Sequence, residues 1–181
     1  MTPTENRRPT MTAILTTSPL TALVDDLDAA VRRTRDGRPR VDAVCDALER
    51  HVRCPDLLTD DQRHGDPAGY RAHLLHVAPD GAFSLVAMVW LPGQSTAIHD
   101  HLSWCVVGVH TGEEHETRYR LEGGRPVVDG TAVAGPGTVT GLLPPGDIHR
   151  VTNSGDDTAI SLHVYGVDVS RRGSSIHRRW E

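Results

Sequence analysis

The stretch GQSTAIHDHLSWCVVGVHTG, residues 93–112, and its later counterpart PPGDIHRVTN, residues 144–153, decide the fold. His99 and His101 stand two apart, so in a strand both imidazoles face the same side. His149 comes just after a tight-turn signal, Pro144-Pro145-Gly146. An isolated H-x-H is common on surfaces and in loops, and the pair alone does not make a site. The chain carries 11 histidines in 181 residues, and these three are placed where one metal ion could collect them.

Outward from these stretches the texture is that of short β-branched segments punctuated by glycine and proline. Strands are expected over 83–91, 104–110, 116–121, 126–129, 137–143 and 159–164. Regular short strands of this kind predict an all-β barrel or jelly roll. Upstream the period changes. Ser18-Pro19 reads as an N-cap followed by proline at the first helical position. Leu20, Leu23, Val24, Leu27 and Val31 then recur at helical spacing, and Gly37 stops the helix. A second helix carries Val41, Val44, Ala47, Leu48 and Val52 on one stripe and ends near Pro55. A third short helical piece is expected at 70–75. The layout is a tail at 1–17, expected to be disordered, and one domain at 18–181. Within it a helical cap at 18–80 precedes a β-barrel and C-terminal segment at 81–181.

Net charge is −5 and no long basic run exists, so nucleic acid is not an expected partner. The apolar run near Phe83 is too short for a membrane span, and residues 1–15, with only a very short apolar run, are not expected to act as a signal peptide. A cytoplasmic protein, monomeric or a weak homo-oligomer, is expected. The 3 cysteines do not form a disulfide framework. Cys45 reads as inert core, and Cys54 lacks a partner at ligand spacing.

Gly93, His99, His101 and Gly112, then Pro144, Gly146, His149 and Asn153, resemble the two cupin motifs. Two departures stand out. Gly137 lies one residue too far from Pro144, and Cys105 occupies the place of the expected glutamate. Three neutral histidines without a carboxylate leave the charge of a divalent ion uncancelled and its coordination open. Such a site favours an anionic incoming ligand, for which a thiolate is suited.

Ser161-Leu162-His163-Val164-Tyr165 alternates, so Ser161, His163 and Tyr165 share one face. The three form either a hydrogen-bonded relay or a polar ladder on a solvated strand. With His149-Arg150-Val151-Thr152-Asn153 and the H-x-H, this strand is similar to the cysteine dioxygenase family of thiol dioxygenases, from about Tyr70 onward. The resemblance implies a cupin barrel holding Fe(II) on His99, His101 and His149. It further implies that both atoms of O2 are added to a small thiol, with Ser161, His163 and Tyr165 as the outer shell. Cys105 falls where animal-type members carry a cysteine crosslinked to the tyrosine; the alternative is a small buried thiol filling the glutamate's space.

In the family a Y-x-R pattern holds the substrate carboxylate. Here it reads Tyr70-Arg71-Ala72, with the arginine one residue early. Members that use 3-mercaptopropionate lack that arginine and draw one from beyond the S-x-H-x-Y strand. Arg171, Arg172, Arg178 and Arg179 lie there. One of these four, Arg179 first, or Arg71 is expected to face the substrate carboxylate, and Trp104 to wall the pocket. L-Cysteine is the first expected substrate, 3-mercaptopropionate the second, and another small thiol the third. His73, His76, His110 and His115 are read as surface or supporting residues, and Glu113 and Glu114 as a solvated turn. The competing readings are a cupin binding protein or isomerase using zinc, nickel or manganese, and a metal-free structural cupin.

Overall fold

The computed structural model describes residues 17–180, so all but the last residue of the expected 1–17 tail lies outside the described residues. Helix α1 spans Pro19–Arg33. The Ser18 hydroxyl accepts from the Thr21 backbone N–H at 3.1 Å, occupying one of the donors that a helix start leaves free. Leu23, Leu27 and Val31 form its buried stripe. Helix α2, Arg38–Glu49, buries Val41, Val44, Ala47 and Leu48. Gly37 heads α2 at φ 88°, a backbone conformation that suits glycine.

The rest is mostly β. Ten strands follow: β1 Arg71–Val77, β2 Ser84–Trp90, β3 Ile98–His101, β4 Cys105–Thr111, β5 Glu114–Glu122, β6 Arg125–Ala134, β7 Val139–Leu142, β8 His149–Thr152, β9 Ala159–Tyr165 and β10 Ile176–Trp180. A short helix α3, Val169–Arg172, precedes β10. The strands form two antiparallel five-stranded sheets, ordered β1-β2-β9-β4-β7 and β10-β3-β8-β5-β6. This is the expected cupin barrel, a jelly roll with helices before it.

The helices decide which sheet is buried on both faces. Leu23, Leu27, Val41, Val44 and Leu48 share one core with Leu85, Ala87, Val106, Leu162 and Val164. Full burial of each such aliphatic side chain contributes about 1.5–3 kcal/mol. The other face of the same strands turns into the barrel. All 7 residues of β9 are therefore buried, with Leu162 and Val164 in the helix-facing core and Ser161, His163 and Tyr165 opposite.

The expected helix at 70–75 is instead strand β1, paired from Arg71↔Val89 to Val77↔Ser84. The register shifts between Leu74 and His76, so Leu75 is an extra residue. That bulge breaks the alternation by which a strand is recognised. The backbone groups of β1 are satisfied by β2, which outweighs the local pattern. Two short strands around the histidines, β3 and β8, and the C-terminal β10 add to those expected. β10 holds its place through Arg178, whose Nε donates to Asp100 Oδ2 at 2.8 Å. Among the described residues no helix is long and apolar enough to cross a membrane.

Two glycines let α2 lie close on the sheet. A Cβ on Gly141 would come within 2.2 Å of Val41 Cγ1, and one on Gly108 within 2.8 Å of Leu48 Cδ2. Gly141→Ala is therefore expected to lower the unfolding free energy by about 1–3 kcal/mol through overpacking. Urea denaturation measures this, and an unchanged midpoint would contradict the close packing.

Candidate metal centre

Strand β3 presents His99 and His101 to the barrel interior, and β8 opens on His149, which pairs with His99 across the two strands. The three rings are buried, with centroids 4.6–5.1 Å apart. One ligand atom from each lies within 4.8 Å of the others. The opposite ring nitrogens are all engaged. His99 Nδ1 donates to the Ala97 carbonyl at 3.0 Å, His101 Nδ1 to Asp147 at 2.9 Å and His149 Nδ1 to Glu116 at 2.9 Å. A carbonyl oxygen only accepts, as does a carboxylate, so the ring hydrogens sit on Nδ1. The Nε2 lone pairs are left pointing at one another.

Charge does not relieve this. Burial, then the neighbouring His149 and His101, push His99 down to about 3. Burial likewise lowers His101, despite its bond to Asp147. Burial alone would raise Asp147 and Glu116, but the rings of His101 and His149 more than offset it and hold both carboxyls below their usual range. His149 Nε2 lies only 3.2 Å from His99 Nε2. Two lone pairs at that distance repel, and a divalent cation between the three nitrogens turns the arrangement into a bound state. The donor set fits such an ion.

The same cavity, about 150 Å³, is lined on another side by His163 and Tyr165. The Tyr165 hydroxyl bonds His163 Nδ1 at 3.1 Å, and His163 Nε2 bonds Ser161 Oγ at 2.8 Å. Trp90 Nε1 donates to the same Oγ at 3.2 Å. The polar strand is thus a relay inside the barrel and not a solvated ladder. Burial holds His163 at about 3 and raises the Tyr165 phenol well above its ordinary value.

Cys105 is fully buried and stands directly opposite Tyr165 across β4 and β9. Burial raises its thiol, so it sits there as S–H and outside the histidine cluster. Tyr70 and Ala72 reach the cavity, but Arg71 is exposed on β1 and Arg179 on β10, and neither lines it. Trp104 packs against Gly166 in the helix-facing core and does not wall the pocket. The non-histidine polar lining comes from Tyr70, Thr96, Ser174, Ser175 and Tyr165.

Sequence reasoning missed Asp147 and Glu116. Asp147 lies two before His149, and Glu116 shares the inward face of β5; neither position carries a motif signal. Glu114 is a correction: it is buried, not solvated, because the strand begins at 114 and Glu114 and Glu116 both line a chamber beside His149. His110, also buried, bonds the Val52 carbonyl at 2.6 Å and takes no part in the cluster.

The family model for cysteine dioxygenase type I matches residues 62–171, a span that holds all three histidines and the relay. Among solved structures, the chain is similar to the protein TT1209 from Thermus thermophilus, at 20% identity and TM-score 0.49, over 61% of this chain and 96% of that one. It is also similar to a Cupin 2 conserved barrel domain protein from Salinispora arenicola, at 24% identity and TM-score 0.46, over 64% and 92%. A conserved protein with a double-stranded β-helix domain from Klebsiella pneumoniae is similar at 18% identity and TM-score 0.48, over 60% and 86%.

Removing the partner of a ligand ring loosens its orientation. Asp147→Asn and Glu116→Gln are each expected to weaken divalent-metal binding by about 10–100-fold, read by competition with a chromophoric chelator. Wild-type affinity in both variants would show that these carboxylates do not hold the rings.

Proposed function

The chain belongs to the cysteine dioxygenase type I family, a family of thiol dioxygenases, and from that premise we propose that it is a mononuclear non-haem Fe(II) enzyme that adds both atoms of O2 to a small thiol. The observation that carries this reading is the pairing, in one cavity, of a three-histidine cluster that includes no carboxylate with the Tyr165–His163–Ser161 chain.

The iron, when held by the Nε2 atoms of His99, His101 and His149, supplies the redox centre at which thiolate and O2 meet. The chain's own residues do the rest. Asp147 and Glu116 keep the imidazoles in the ligating tautomer. Val86, Met88, Trp90 and Val151 keep the cavity walls apolar, which strengthens electrostatic contacts inside. The Tyr165 hydroxyl hydrogen-bonds the substrate, and His163 and Ser161 position it. The net reaction is RSH + O2 → RSO2H. Sulfur is oxidised, O2 is reduced, and no external electron donor is needed.

L-Cysteine, giving cysteine sulfinate, is the first substrate we propose. The second, 3-mercaptopropionate, is favoured by one observation: Ala72 stands at the cavity where the family's arginine would be. In either case the substrate carboxylate meets the hydroxyls of Tyr70, Ser174 and Ser175 in place of a guanidinium. On this reading the enzyme acts on a diffusible thiol in the cytoplasm.

Iron-loaded protein is expected to consume one O2 per thiol and to yield a product heavier by two oxygen atoms, read by an oxygen electrode and mass spectrometry. Tyr165→Phe should lower kcat/KM by about 100-fold or more. Oxygen uptake by neither thiol with iron bound would overturn both proposed substrates.

A further inference from the structure

Asp100 stands between His99 and His101, yet both histidines line the cavity and Asp100 does not. It is nonetheless buried. A buried carboxylate has to be paired. Among the described residues, Arg178 supplies all of its hydrogen bonds. The Arg178 backbone N–H donates to Oδ1 at 2.8 Å, Nε donates to Oδ2 at 2.8 Å, and Nη2 donates to the same Oδ2. The His177 ring stays 3.8 Å from Oδ1. Arg178 Cζ also lies 4.9 Å from the centre of the Trp180 ring, so a π face holds the guanidinium as well.

These bonds sit at a bulge. β10 is an edge strand with β3 as its neighbour. It pairs Ile176 with His101 and then Arg178 with Asp100, which leaves His177 as an extra residue. At that irregularity the Asp100 side chain takes the Arg178 N–H. A bulge re-aims the side chains beside it. Just before this one, Ser174, Ser175 and Ile176 line the cavity that holds the three histidines. The Ser175 carbonyl accepts from the Leu102 N–H at 2.8 Å. The contacts at Asp100 and Leu102 thus flank His101 and tie one cavity wall to the strand that carries two metal ligands.

We propose that Asp100 and Arg178 are positioning residues for the substrate: their ion pair fixes the bulge at His177 and thereby sets the Ser174–Ile176 wall against the metal site. The wall's role toward a thiol rests on the dioxygenase reading; the clip itself belongs to the protein without metal or thiol. Arg178 does not line the cavity and acts through the segment before it. Its side chain is 47% exposed, so charge alone contributes little, and the directed bonds to a buried acceptor hold the strand. The clip bears on selection. A thiol acid has two anchors, its sulfur at the metal and its carboxylate at the Ser174 and Ser175 hydroxyls. A displaced wall removes the second. A thiol without a carboxylate has only the first and loses little.

Arg178→Gln tests this, with Arg178→Lys as a milder change that keeps the charge and loses the guanidinium fork. In metal-free protein, NMR-detected amide exchange at Leu102 is expected to speed up about tenfold or more in Arg178→Gln and less in Arg178→Lys, with the Leu162 amide of β9 unchanged. In Co(II)-loaded protein without oxygen, thiolate-to-metal absorption reads the binding of 3-mercaptopropionate and of 1-propanethiol, which has the same carbon chain and no carboxylate. Arg178→Gln should bind 3-mercaptopropionate about tenfold or more weakly, and 1-propanethiol within about twofold of wild type. Unchanged Leu102 exchange in both variants would overturn the clip, whatever the protein's reaction. Faster exchange with both thiols weakened equally would overturn substrate positioning and leave a structural role alone. Faster exchange with neither thiol bound by the wild type would overturn the dioxygenase reading, and the wall's role toward a thiol with it.

Discussion

Three imidazoles turn their bare Nε2 lone pairs towards one point inside a closed barrel, and the rest of the structure answers to that constraint. The arrangement is unfavourable without a cation and favourable with one. It persists because each ring is held from behind, by the Ala97 carbonyl, Asp147 and Glu116. Two of these supports are carboxylates that gain from the contact, which offsets their burial. The ligand set itself stays uncharged, so a bound divalent ion keeps its full positive charge for an incoming anion. That electrostatic consequence links the missing glutamate to thiolate chemistry.

The barrel meets the constraint by dividing labour between its sheets. One sheet supplies the histidines on β3 and β8 and the Glu116 support on β5, and the loop leading into β8 supplies Asp147. The other, sealed by α1 and α2, supplies the relay on β9. The helices lie outside the site but fix it. By burying Leu162 and Val164 they commit the alternating residues of β9 to the barrel interior, where a slip of one position would turn Ser161, His163 and Tyr165 outward. Gly108 and Gly141 admit the helices closely enough for that burial.

Much of this was legible in the sequence, and what was not has physical causes. The cap of α1 at Ser18-Pro19, the inward histidine pair and the alternation on β9 are local signals tied to backbone geometry. β1 escaped because the bulge at Leu75 sets two leucines side by side and interrupts the period. β10 escaped because an edge strand with Arg178 and Arg179 reads as a solvated tail, while its Asp100 partner is 78 residues away. Glu114 read as part of an acidic turn, and only the observed start of β5 shows that 114 and 116 face inward together. The expected substrate arginines are absent from the cavity wall because Arg71 and Arg179 stay in solvent, leaving hydroxyls there.

The central claim is that the three histidines leave room on one metal ion for a thiol sulfur. X-ray absorption at the iron edge, on Fe(II)-loaded protein under anaerobic conditions with and without L-cysteine or 3-mercaptopropionate, tests it most directly. The account predicts histidine nitrogens and light oxygen donors before addition, and one sulfur neighbour gained on adding the thiol. A sulfur neighbour already present without thiol, which would place Cys105 on the metal, or none gained with either thiol at saturation, would contradict it.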